Sequence, residues 1–480
     1  MTLLSRLTDR YKSSDVVFRA TVWFTAATVL NKAVSLLTQP VINRILTVDD
    51  VGVCGVYSTW QSVFAVIATF SLHCGVLEVL VTKKREDSRQ AVGSLTVLSL
   101  IICTAFFGVA TLLRQPLSVL LKLKPEYIVL MGAEVASQAV IQFWCVPKRF
   151  EYSYKIYSLT VCGLFICKSI LTVLFSLLFT EDRVFGRLFG LCVPEVILSA
   201  VLLISILRKT DFSRLRQYWG YAVRFNIPII PHYLSTLILS SSDKIMLQRM
   251  LGDTPTGLYT FAYAYSSMAL IVFNALNSAY TPFAYTAIRE HNYEPLRKKT
   301  GTIVLFSVLM SSAMVLLAPE AVYFLGGNKY KEAIPAIPVL VLGVFLSSFY
   351  YIFSNVEFVY EKNRYVFPIT LCGGLINIVL NCLLIPRFGY IAAGFTTVIG
   401  YLLISIAHYL VSRKLTHEDI FGIRKILLYF GLLTAVCVSA GILYNHAAVR
   451  YGIIVLTMTA AVIVFIKKAK EKKQNGDIQK

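Results

Sequence analysis

The chain has 480 residues, is 56% hydrophobic and 15% charged, and has a mean hydropathy of +0.67. Soluble domains are about 45–50% apolar and about 25% charged, so a water-soluble fold of this composition has no interior large enough for its apolar side chains. Forty-six Lys and Arg against 26 Asp and Glu leave a net charge of +20. The cations are scattered through short loops between apolar segments and do not form a basic domain, which excludes nucleic acid as a partner and points to membrane topology.

Apolar stretches of the roughly 18–25 residues that cross a bilayer core recur from end to end. In chain order they fall at 20–42, 53–82, 91–113, 127–147, 156–179, 188–207, 225–248, 257–284, 302–325, 336–358, 366–385, 390–411, 426–445 and 451–466. The expectation is an all-α polytopic membrane protein with about 14 transmembrane helices, or 12 as the alternative count. The second stretch is too long for one upright crossing and is expected to tilt or to begin as an interfacial helix. Pro228 and Pro231 remove backbone donors near the start of the seventh and are expected to bend or break it. The first twenty residues show no apolar run followed by a cleavage site, so no signal peptide is expected to be removed. All ten cysteines lie in or beside apolar stretches without metal-ligand spacing. They read as packed thiols, and no cofactor or metal is expected.

Placing the N-terminus inside puts 32 Lys and Arg in the tails and even-numbered loops and 11 in the odd-numbered loops, with Lys32, Lys168 and Lys244 inside spans. That asymmetry places both termini in the cytoplasm. The basic tail, 467–480, is expected to sit near anionic membrane lipids. No loop exceeds about twenty residues. A glycosyltransferase or polymerase needs an extramembrane platform for its acceptor, so this economy of loops favours transport over catalysis.

Residues 42–57, INRILTVDDVGVCGVY, are echoed by 247–262, LQRMLGDTPTGLYTFA. Arg44 and Gly52 fall on Arg249 and Gly257 at an offset of 205, and each copy joins one span to the next. Six spans separate the copies, so the halves share orientation and are expected to be related by a pseudo-two-fold along the membrane normal. The implied organisation is an N-terminal six-helix half (1–207), a cytoplasmic linker (208–223), a C-terminal six-helix half (224–412), two extra helices (413–466) and the basic tail (467–480).

Polar residues at helical spacing within a span face protein or water. The first span carries Thr28, Lys32, Ser35 and Gln39 on one face; the seventh carries His232, Thr236, Ser240 and Asp243. The two stripes are equivalent in the repeat and read as opposite walls of one substrate cavity. Glu134, Gln138 and Gln142 in the fourth span, Asn274 and Asn277 with Tyr263, Ser267 and Thr281 in the eighth, and Asn377 and Asn381 in the eleventh add further polar faces. The alternative for the Ser, Thr and Asn stripes is helix packing by hydrogen bonds. A mid-span cation costs at least about 2.5–3.5 kcal/mol, which singles out Lys32 as facing a hydrated path. Lys168 either does the same or pairs with Glu134 or Glu195. Asp243 and Lys244 form a structural pair, snorkel, or touch a ligand. Glu78 and Glu357 read as interfacial, and His73, His232 and His408 as lone packed histidines.

PVINRILTVDDVGVCGVY (40–57), SSSDKIMLQRMLGDTPTGLYTFAYAYSSM (240–268) and NIVLNCLLIPRFGYIAAGFTTVIGYLL (377–403) resemble the polysaccharide-transporter branch (O-antigen/capsule flippase, Wzx-like) of the multidrug/oligosaccharidyl-lipid/polysaccharide flippase superfamily. The resemblance runs over nearly the whole chain. It implies a flippase of the bacterial cytoplasmic (inner) membrane that moves undecaprenyl-pyrophosphate-linked oligosaccharide repeat units from the cytoplasmic to the periplasmic leaflet by alternating access. It also implies coupling to an ion such as a proton or sodium, and a polysaccharide polymerase and chain-length regulator as partners. Cavity-lining cations matter in such flippases, and the matching positions here are Lys32, Lys168 and Lys244, with no arginine in mid-span. Lysine offers an anionic pyrophosphate a compact charge without arginine's fork. Two other classes remain open on the residues alone: a small-molecule exporter of the related multidrug branch, and a membrane polymerase or acyltransferase.

Overall fold

The computed structural model describes residues 15–83, 87–457 and 459, and among these every regular element is helical. Residues 1–14 and the basic tail lie outside the described residues. Two compact units, Met1–Leu237 and Ile238–Lys480, divide the chain.

In the first unit the long helices are α1 (Val16–Ile45), α2 (Val48–Thr69), α4 (Ser88–Leu112), α6 (Pro125–Phe150), α7 (Tyr154–Leu178) and α8 (Arg183–Leu207), with short helices α3 (Val76–Lys83), α5 (Arg114–Leu121) and α9 (Trp219–Asn226). α10 (Ile230–Leu251) spans the division between units. The second unit continues with α11 (Asp253–Ser266), α12 (Ala269–Arg289), α13 (Tyr293–Leu316), α14 (Ala318–Gly326), α15 (Ile337–Val359), α16 (Val366–Phe388), α17 (Ile391–Thr416) and α18 (Ile423–Leu443). A shorter apolar helix, α19 (Ala447–Thr457), follows.

Twelve helical segments among the described residues are long and apolar enough to cross a membrane. The count of about fourteen differs at two places. The seventh stretch is helical, as α10, but Ser240, Asp243, Lys244, Gln248 and Arg249 lower its hydropathy below that of a lipid-compatible span. The fourteenth is described only as α19, the rest falling outside the described residues. The eighth stretch consists of two helices, α11 and α12, joined by a turn at Ser267–Met268 and together counted as one of the twelve.

The second stretch is corrected. It is not one tilted helix but α2 and α3, broken at Phe70–Gly75, where Phe70, Ser71 and Gly75 all have positive φ. A break leaves carbonyls without intrahelical partners. Asn226 supplies them, its Nδ2 donating to the carbonyl oxygens of Phe70 and Ser71, both at 2.9 Å. The proline expectation for the seventh stretch is met: α9 ends at Asn226, α10 starts at Ile230, and Pro228 stands in the turn between them.

Both copies of the repeat form tight helix junctions. In the first, Thr47 and Asp50 make a reciprocal capping box at the start of α2, with bonds of 3.1 and 2.8 Å. In the second, Gly252 takes φ +93° between α10 and α11, and Gln248 Nε2 donates to Asp253 Oδ1 at 2.8 Å. Gly52 and Gly257 are both buried. Residues 212–226, after the expected linker begins, pack onto α4 of the first unit. Gln90 exchanges two 2.8 Å bonds with the Asp211 backbone, and Trp219 Nε1 donates to the Ser94 carbonyl at 3.2 Å.

In a bilayer, helices associate by close packing more than by the hydrophobic effect. α7 and α8 show why: Gly186 and Gly190, four residues apart on α8, lie against the backbone of α7. A Cβ at Gly186 would sit 2.3 Å from the Phe175 carbonyl oxygen, and one at Gly190 would sit 2.6 Å from that of Leu171. The second unit's core is aromatic instead. Phe345 and Phe349 meet edge-to-face at 5.1 Å, Phe349 and Phe353 stack at 5.6 Å, and Phe353 meets Phe421 at 5.1 Å.

Candidate functional site: one polar stripe and two buried clusters

The stripe on α1 is exposed at Thr28 and Lys32 and half-buried at Ser35 and Gln39. Thr28 Oγ1 satisfies itself on the Phe24 carbonyl at 2.8 Å, and Gln39 Nε2 donates to Asn43 Oδ1 at 3.1 Å. Lys32 enters no ion pair among the described residues. An exposed ammonium on a spanning helix needs water or an anion beside it.

Glu134 and Lys168 belong to a different environment. Glu134 on α6 and Glu195 on α8 are 3% and 4% exposed. Lys168 on α7 pairs with Glu195, not with Glu134. Gln138, one turn after Glu134, donates its amide to both carboxylates, at 3.3 Å to Glu134 Oε1 and 3.2 Å to Glu195 Oε2. Tyr57 of α2 donates to Glu134 Oε2 at 2.9 Å. Four helices thus converge on one charged cluster inside the first unit.

The second unit has its own cluster around Asp243, which is 1% exposed. Asn381 Nδ2 donates to Asp243 Oδ1 at 2.6 Å; Tyr259 Oη and Thr397 Oγ1 donate to Oδ2 at 2.6 and 2.8 Å. Asn377 and Asn381 are fully buried and bonded to each other at 3.1 Å, with Thr396 joined to both. The packing role, one of the two alternatives for that stripe, describes their contacts. Asp243 and Lys244 make no ion pair with each other among the described residues. Lys244 turns away and places its ammonium 5.3 Å from the centre of the Tyr263 ring.

His232 and Thr236 are half-buried on the first two turns of α10; Thr236 Oγ1 donates to the Tyr233 carbonyl at 2.7 Å, and the His232 ring lies 6.1 Å from that of Tyr233. Ser240 is half-buried beside Ser241, their hydroxyls 3.3 Å apart. Asn274 and Asn277 line a pocket of the second unit with Ser307, Ser348 and Tyr351.

One reading of a single residue changes. His408 is not lone: it and Glu357 are both fully buried, and His408 Nδ1 lies 2.6 Å from Glu357 Oε1 between α15 and α17. No spacing in the sequence links residues fifty-one positions apart on separate helices. Tyr57, Tyr259 and Thr397 were likewise invisible as partners, because spacing along one helix does not name the residue it meets on another.

With this geometry in hand, the relatives can be placed. A "Lipid II flippase MurJ, inward closed conformation" superposes with a TM-score of 0.67 over 95% of this chain and 99% of its own, at 12% identity. An inward-facing "multidrug resistance MATE family transporter of the MOP superfamily" gives 0.61 over 83% and 98%, at 15% identity. A model named MatE matches residues 228–383. In sequence, "Lsg locus putative protein 1" of Haemophilus influenzae is 21% identical over 411 residues, covering 83% of this chain and 98% of its own length. The fold is that of these solved transporters, and its twelve long apolar helical segments make the chain a multi-pass membrane protein. Within that class, residues 17–286 match the model described as "Polysaccharide biosynthesis protein", and the chain belongs to that family.

Proposed function

We propose that the protein is a flippase that carries a polyprenyl-pyrophosphate-linked oligosaccharide repeat unit from the cytoplasmic to the periplasmic leaflet, for O-antigen or another surface polysaccharide. The observation that carries this reading is the polysaccharide-biosynthesis family match over more than half the chain, set on a flippase fold. The chemistry agrees with it. Lys32 makes no ion pair among the described residues and shares a helix face with Thr28, Ser35 and Gln39; a cation suits a pyrophosphate, and hydroxyl and amide groups suit sugar hydroxyls. The proposal includes an inner-membrane setting, both termini cytoplasmic, transport by alternating access and coupling to a proton or sodium gradient. A polymerase and a chain-length regulator would act on the exported unit.

The test is made in a deletion strain, by measuring which leaflet holds the lipid-linked oligosaccharide alongside surface polysaccharide. Complete repeat units accumulate on the cytoplasmic leaflet; the wild-type gene relieves this, Lys32→Ala does not although the protein still inserts, and Lys32→Arg does so in part. Full relief by Lys32→Ala refutes the role of that residue. Normal sidedness with shortened polymer moves the protein to polymerisation. A second reading, export of small molecules, draws on the MatE match. It predicts normal sidedness and normal polymer together with transport of a fluorescent organic cation.

A further inference from the structure

The charged cluster of the first unit is not balanced. Two carboxylates, Glu134 and Glu195, stand against one ammonium, Lys168, and both carboxylates are more than nine-tenths buried. The groups that face them are known from every helix around them: Tyr57 and Gln61 of α2, Gln138 of α6, Lys168 of α7 and Cys192 of α8. None of these except Lys168 is a cation. Lys168 and Glu195 lie near the middle of 25-residue spanning helices, where bulk water is furthest away.

Two buried carboxylates that share one cation cannot both ionise without leaving a net negative charge in a low-dielectric interior. The remedy requiring no further ligand is one proton. Geometry indicates which carboxyl takes it. Glu195 holds the ammonium, whereas the groups that meet Glu134 among the described residues, Tyr57, Gln61 and Gln138, are all neutral. Gln138 bridges the two carboxyls, so gain or loss of the proton at one is felt at the other.

We propose that Glu134, Lys168 and Glu195 form a one-proton binding site, with the proton on Glu134, and that its filling and emptying tie a proton gradient to the transport cycle. On binding, a hydronium ion from the aqueous phase gives up a proton, so one of its O–H bonds breaks, one O–H bond forms on Glu134, water is left, and the cluster becomes neutral. Release restores the carboxylate and a net charge of minus one, a state that requires hydration or a changed arrangement of α6, α7 and α8. The coupling rests on the transport reading given above; the proton site does not.

The site is tested on the purified full-length protein in lipid nanodiscs by infrared spectroscopy, reading the protonated-carboxyl C=O absorbance per protein near neutral pH relative to wild type. Charge counting sets each outcome. Glu134→Gln removes one carboxyl equivalent. Glu195→Gln also removes one, because Lys168 then pairs with the untouched Glu134. Lys168→Met adds one, doubling the cluster's contribution, and Lys168→Arg changes nothing. Other buried acids contribute equally to all variants and cancel. An unchanged band in both Gln variants, or no gain in Lys168→Met, overturns the site. In the deletion strain, Glu134→Gln fails to restore surface polysaccharide; full restoration overturns the coupling. If the deletion itself leaves polysaccharide export intact, the transport reading fails while the infrared result still stands.

Discussion

Packing of α7 against α8 is what brings Lys168 to Glu195, and it depends on two glycines. Replacing Gly186 and Gly190 by alanine places methyl groups 2.3 and 2.6 Å from carbonyl oxygens of the facing helix. Ordinary van der Waals contact begins at 3.4 Å, and backbone cannot rotate aside as a side chain does, so the helices must separate by about 1 Å. Overpacking of this kind costs about 1–3 kcal/mol per site, against the ~1 kcal/mol that alanine returns over glycine in a helix interior. The clash wins. Gly108 of α4 provides the control, since a Cβ there meets nothing within 4 Å and Gly108→Ala gains the helix term alone. The assay is thermal unfolding of the purified protein followed with a thiol-reactive dye, which reports exposure of buried cysteines such as Cys192, located on α8 itself. The expected order of midpoints is Gly108→Ala at or above wild type, and Gly186→Ala/Gly190→Ala well below both. A double variant that melts with wild type refutes the claim that backbone contact holds this helix pair.

Three further outcomes are expected. Asp182 caps α8 and also meets Lys124 and Tyr127. Burial pushes its carboxyl up, but the bonds from Lys124, the Phe185 N–H and Tyr127 outweigh this and hold it below its ordinary value of 3.8. A depressed carboxyl stabilises the fold above the unfolded value and loses that contribution as pH falls through the folded one. Asp182→Asn therefore lowers the melting midpoint at neutral pH, and its gap from wild type closes in acid below the usual carboxylate range; a pH-independent gap refutes this linkage. Asn381→Leu strips one of three donors from Asp243 and costs about 1–3 kcal/mol, read in the same melting assay; an unchanged midpoint contradicts it. A cysteine at Thr236, in a cysteine-depleted protein, is labelled by a small aqueous thiol reagent, and failure to label under both inward- and outward-favouring conditions removes α10 from the cavity wall.

Hydropathy and loop charge alone determine that this chain crosses a membrane many times, because each crossing is a local property of about twenty residues. The repeated Arg-to-Gly junction is local too, and its helix boundaries are nearly legible from caps and glycines. Pro228 marks a break for the same reason: the missing donor acts on its own helix. The sequence also isolates Lys32, Lys168 and Asp243 as polar groups that a lipid environment cannot tolerate without company. Their company is a tertiary matter. Lys168 had two carboxylates within reach of any plausible packing, and α8 resting on α7 through Gly186 and Gly190 chose Glu195. Asp243 drew Tyr259, Asn381 and Thr397 from three other helices, and Glu357 met His408 across two. Periodicity shows which face of a helix is polar, but which faces meet depends on how helices from distant parts of the chain pack. A buried charge is satisfied only there, by partners the local sequence does not name.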